Sequence, residues 1–149
     1  MNKKILLLPI IVLICIYCYA CSGSKIDPNS TTLLTGTYDF TMTDSLAGIT
    51  LIKGTVSVDT SGDDLFGHYY ITSVTDSTFT GYGSIKRGGE YKGHYDRIAH
   101  QVSMNMNPLI ADANVYISAA IKGASLNGGW NFSGMRNTSG GLFRATLEP

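Results

Sequence analysis

The chain predicts an all-β domain, a single antiparallel up-and-down β-barrel of about eight to nine strands, with a β-sandwich as the alternative. Three observations lead there. From Leu34 onward, apolar and polar residues alternate with a period of two. The alternating runs are short and evenly spaced, separated by clusters of Gly, Asp, Asn and Ser. No run carries apolar residues at the 3.6-residue spacing of an amphipathic helix.

Residues 35–43 alternate most cleanly, with Gly36, Tyr38, Phe40 and Met42 on one face and Thr37, Asp39, Thr41 and Thr43 on the other. Residues 50–59 repeat the pattern, Ile52, Val56 and Val58 opposing Lys53, Thr55, Ser57 and Asp59, before a turn over 60–64. Residues 66–75 are β-rich but alternate poorly, because adjacent Tyr69 and Tyr70 must face opposite ways. A further strand is expected over 78–87. Gly88-Gly89 then reads as a two-residue hairpin turn, where positive φ costs glycine little. The remaining inward rows are Tyr91, Gly93 and Tyr95; Val102, Met104 and Met106; Val115, Ile117, Ala119 and Ile121; Leu126, Gly128, Trp130 and Phe132; and Phe143, Ala145 and Leu147.

One-sided alternation puts one face of each strand in a core and the other in water. A meander joined by tight turns closes most simply on itself, whereas an open sheet would expose two edges. Closure pairs residues 35–43 with 140–147. A glycine two places before an aromatic recurs, as in Gly36/Tyr38, Gly93/Tyr95, Gly128/Trp130 and Gly141/Phe143. Such a glycine makes room for the ring beside it or lets a curved strand bend. The pattern has two readings, a packed core and a ring-lined ligand cavity. Its residues are Tyr38, Phe40, Met42, Tyr91, Tyr95, Met104, Trp130, Phe132 and Phe143.

Gly36-Thr37-Tyr38 on the first strand and Arg144 on the last make the chain resemble a calycin, the superfamily of lipocalins and avidins. Calycin barrels open with Gly-x-Trp, and in lipocalins a late arginine lies over that indole. The resemblance implies a closed barrel, Arg144 beside Tyr38 and an internal apolar ligand. Tyr38 stands in place of the tryptophan, and the Thr-Asp-Tyr loop motif of lipocalins is absent.

The start of the chain has a different character. Lys3 and Lys4 precede an uncharged run from Ile5 to Ala20 that contains Pro9 and stops at Cys21. A positive start, a short apolar core and a small residue before the cut mark a secretory signal. Ala20-Cys21 resembles the lipobox of bacterial lipoproteins, with Cys18 where an aliphatic residue is usual. The resemblance implies that residues 1–20 are a lipoprotein signal peptide and that Cys21 carries fatty acyl (palmitate-type) chains. The protein is then held on the cell envelope, at the outer membrane of a two-membrane bacterium. The alternatives are secretion with simple cleavage after Ala20 and a membrane-spanning anchor, for which the run is short and interrupted by Pro9. Residues 21–33 read as a flexible tether and 34–149 as the barrel domain.

The three cysteines all lie at or before Cys21, so the domain has no disulfide and relies on packing and hydrogen bonds. Eleven basic residues balance eleven acidic ones without a basic patch, which disfavours nucleic acid as a partner. His68, His94 and His100 lack metal-ligand spacing, and no nucleophile elbow, phosphate loop or carboxylate pair appears. No catalytic residue, metal or cofactor is expected, and the protein reads as a non-enzyme. The leading expectation is a lipid-anchored barrel binding a small apolar or amphipathic ligand. The alternative is a structural or interaction lipoprotein with a filled core, contacting a protein or glycan partner.

Overall fold

The computed structural model describes residues 26–75, 85, 87–110, 112–134 and 138–149. Eight strands follow one another along the chain: β1 (Gly36–Asp44), β2 (Thr50–Ser61), β3 (Asp64–Val74), β4 (Gly88–Asp96), β5 (Gln101–Asn105), β6 (Ala113–Lys122), β7 (Ser125–Gly134) and β8 (Thr138–Leu147). Each pairs antiparallel with the next, and β8 returns to β1, closing a single up-and-down barrel. The expected pairing of the first strand with the last is therefore present, with Phe40 opposite Ala145 and Met42 opposite Phe143.

The period-two pattern becomes an inside and an outside. Tyr38, Phe40, Met42, Val56, Val58, Leu65, Tyr91, Val102, Met104, Ile117, Leu126 and Phe143 are all buried. The outward rows carry Asp39, Lys53, Glu90, Lys92 and Arg144, all exposed. An apolar inside and a charged outside are the reverse of a membrane-spanning barrel.

Two local expectations change, and a third falls mostly outside the described residues. Gly88 and Gly89 are not a turn: they lie within β4, opposite Tyr70 and Tyr69. A side chain at Gly89 would meet the Tyr69 ring at 3.3 Å, so this glycine accommodates an aromatic inside a strand. The turn expected over 60–64 contracts, since β2 runs on to Ser61 and Gly62, with φ 64°, makes the reversal with Asp63. The strand expected over 78–87 lies outside the described residues apart from Ile85, which is buried, and Arg87, whose carbonyl accepts from Ile71 N–H at 2.9 Å.

Neighbouring strands also come closer than the glycine–aromatic pattern suggests. A Cβ on Gly128 would run into the Ser118 carbonyl, and one on Gly141 into the Thr43 carbonyl. At these positions the missing side chain admits the next strand's backbone, as tight coiling of a small barrel requires.

The polar leader of the domain is partly built into it. Ser30 O accepts from Gly123 N–H at 2.6 Å, Leu33 is buried, and Leu33 N–H donates to the Tyr95 hydroxyl at 3.3 Å. The residues from Asp27 to Leu34, mostly assigned to the tether by their polarity, thus lie across one end of the barrel. Leu33 anchors them with about 1.5–3 kcal/mol of burial, and the bonds to Gly123 and Tyr95 share in offsetting the cost of ordering the polar residues beside it.

Candidate functional site: the barrel interior and an outer depression

The interior is built by side chains from every strand. Tyr38, Phe40, Met42, Tyr91, Tyr95, Met104, Trp130, Phe132 and Phe143 all point into it, and none is more than 8% exposed. A void large enough for one water molecule would leave its lining side chains partly uncovered. Tyr38, Phe40, Tyr91, Met42, Met104 and Phe143 are each below 2% or at 2%, so these rings and thioethers cover one another. Phe40 and Phe143 stack with centroids 5.8 Å apart and ring planes 29° apart. Around these residues the space is packed core.

Buried phenols need partners, and each finds one on the backbone. Tyr38 donates to Leu34 O at 2.8 Å, fixing the segment that enters β1. Tyr69 donates to Ile85 O at 2.5 Å. Tyr91 lies within bonding distance of Ser57 O at 2.9 Å and Phe66 O at 3.1 Å, beside the point where β2–β3 pairing lapses between Val56–Tyr69 and Asp59–Phe66. Trp130 reaches from β7 past Gly141 on β8 to donate to Thr43 O of β1 at 2.9 Å. Burial pushes the Tyr38 and Tyr69 phenols up to about 12, and raises Tyr91 further with help from nearby Asp59. These hydroxyls are committed to holding strands and loops together, which is structural chemistry.

Arg144 does not cap Tyr38. The register sets Tyr38 opposite Leu147 and Arg144 opposite Thr41, and strict alternation turns the guanidinium outward, where it is exposed. The arginine that does lie over an inner ring is Arg97, 5.5 Å from the Tyr95 centroid at the end of β4. It also donates to Asp63 Oδ1 at 2.8 Å and to Gly62 O at 2.7 Å. His68, His94 and His100 are exposed, and among the described residues no group of three potential metal ligands assembles.

The outer face offers a different site. Across β4–β7 the register aligns Lys92, Asn105, Tyr116 and Asn131 in one row and Ser103, Ser118 and Gly129 in the next. The second row is low because its side chains are small, and the first forms a wall beside it. Together they leave a shallow depression of about 650 Å³. Its rim has amides, hydroxyls, one ammonium and a tyrosine ring that is 45% exposed. No carboxylate lines it. The sequence marks one of these residues: Tyr116 is an aromatic on the polar face, between inward Val115 and Ile117. The rest look like ordinary solvated positions, since only cross-strand register brings four strands' residues together.

Comparison with family models, with curated proteins and with solved structures finds no match to this chain.

Proposed function

We propose that the protein is a non-enzymatic, lipid-anchored, extracytoplasmic binding module that works through the outside of its barrel. In this reading the signal peptide is removed, acylated Cys21 holds the chain on the cell envelope, and the outer depression takes a saccharide segment of a glycan. The observation that carries it is the covered interior, where the inward aromatic side chains are each at most 8% exposed. An apolar ligand inside the barrel would have to displace packed rings and break phenol–backbone bonds. The depression supports the choice of a glycan. An exposed ring for the apolar face of a sugar stands next to amides and hydroxyls that match its hydroxyl groups.

The test pairs two titrations of the full chain. A fluorescent fatty acid should show no saturable uptake, and a panel of glycans should contain binders lost on Tyr116→Ala. Because Tyr116 is exposed, that change should leave the unfolding midpoint unmoved. Saturable one-to-one fatty acid binding that quenches Trp130 would overturn the outside reading and restore an internal ligand. Absence of any glycan binder, with a protein captured through Tyr116 instead, would change the partner class.

A further inference from the structure

We propose that the barrel end carrying the N-terminal segment seats on the bilayer, with Ile98 at the tip of the β4–β5 turn entering the lipid headgroup layer. The seat rests on the Cys21 anchor proposed above. It adds an interaction surface and an orientation.

The exit of the chain defines the end. Residues 27–34 lie across the end formed by the β2–β3, β4–β5 and β6–β7 turns, bound through Ser30 O to Gly123 N–H and through Leu33 to Tyr95. From Ile26 back to Cys21 the chain, even fully extended, covers at most about 18 Å. An acyl group on Cys21 therefore keeps Ile26, and the barrel end it leads into, close to the membrane.

Ile98 is the apolar side chain offered there. It is 93% exposed on a turn that is held rigid. Asp96 Oδ1 accepts from Ile98 N–H at 2.9 Å and Ala99 N–H at 2.8 Å, and these bonds hold its carboxyl below the usual carboxylate range. Arg97 ties the same turn to the β2–β3 turn through Asp63 and Gly62. Ile121 N–H donates to His100 O at 3.0 Å, joining it to the strand that leads into the β6–β7 turn. Ile98 and the exit of the chain are thus on adjoining, cross-linked parts of one end, and Ile26, 46% exposed, lies next to that exit in sequence. A fixed turn that presents a bare isoleucine next to an arginine suits insertion at a lipid interface, with the apolar tip down and the guanidinium among phosphates. Asp63, Asp64 and Asp96 on the same end oppose attraction to an anionic surface, so the contact is apolar and should persist in salt.

The experiment uses the acylated chain, processed to begin at Cys21, in phosphatidylcholine vesicles. All three native cysteines lie at or before Cys21, so Ile98→Cys or Leu109→Cys adds the one thiol left to label once Cys21 is acylated. Leu109, 90% exposed in the β5–β6 loop, marks the opposite end. With an environment-sensitive fluorophore at each site, a headgroup-linked quencher should darken position 98 and leave position 109 bright, in low and high salt alike. Chains that float with the vesicles but show position 98 bright, or 109 equally dark, overturn the seat and leave the anchor standing. Chains that label at Cys21 and stay in solution overturn the anchor, and the seat with it.

Discussion

Trp130 is where removal of one side chain should cost most. Its ring is 3% exposed, and its indole N–H crosses the gap left by Gly141 to bond Thr43 O at 2.9 Å, joining β7 to β1 over β8. Trp130→Ala removes a buried aromatic and leaves a cavity that a closed barrel, paired on every edge, cannot collapse. The cost should be about 3–5 kcal/mol, a large share of the roughly 5–15 kcal/mol that holds a domain together. Trp130→Phe keeps most of the packing and loses the bond, at about 1–3 kcal/mol. The assay is urea unfolding followed by far-ultraviolet circular dichroism, since both variants lack the lone tryptophan. The unsubstituted protein should emit at short wavelength when folded and shift to long wavelength in urea. A native spectrum like that of indole in water, or an alanine variant within about 1 kcal/mol of the parent, would refute the burial argument. Equal losses in the two variants would assign the whole effect to the hydrogen bond.

The remaining predictions probe other levels. The Tyr38 and Tyr69 phenols ionise at about 12 in the folded protein against about 10 in the unfolded chain, so their contribution is intact below pH 10 and lost as pH rises through 12. Ultraviolet titration should therefore show part of the tyrosine signal appearing only with loss of the sheet signal; smooth titration of every phenol with the barrel intact would contradict it. Leu33→Ala should cost about 2–3 kcal/mol, because its 7% exposed side chain pins the leading segment to the barrel end. An unchanged urea midpoint would mean that this segment is a free tether after all. Cys21→Ala should leave the barrel folded and move the protein out of the membrane fraction, and a variant still held there would refute attachment through Cys21.

Much of the inside of this barrel was legible in the chain. Alternation at Tyr38, Phe40 and Met42, or at Val115, Ile117, Ala119 and Ile121, depends only on the two-residue repeat of a strand, which is local. The same repeat argues for closure, since β1 and β8 each have one apolar face and would otherwise end as edges. Gly88-Gly89 misleads for a related reason. Glycine is as apt for a turn as for a strand position pressed by a ring, and only the presence of Tyr69 opposite decides. Leu33 is similar: a single leucine among polar residues reads as tether until Tyr95 and the barrel mouth are there to receive it.

What the sequence by itself determined is most of the residues that go inside and an antiparallel meander of short strands for which closure is the simplest arrangement. Both follow from nearest-neighbour geometry along the chain. Tertiary structure alone decided the register, and with it everything that depends on who stands beside whom. It put Arg144 opposite Thr41 and away from Tyr38, and aligned Lys92, Asn105, Tyr116 and Asn131 across four strands. A shift of two residues would preserve every inside and outside assignment while scattering these groups, so composition and periodicity are blind to them.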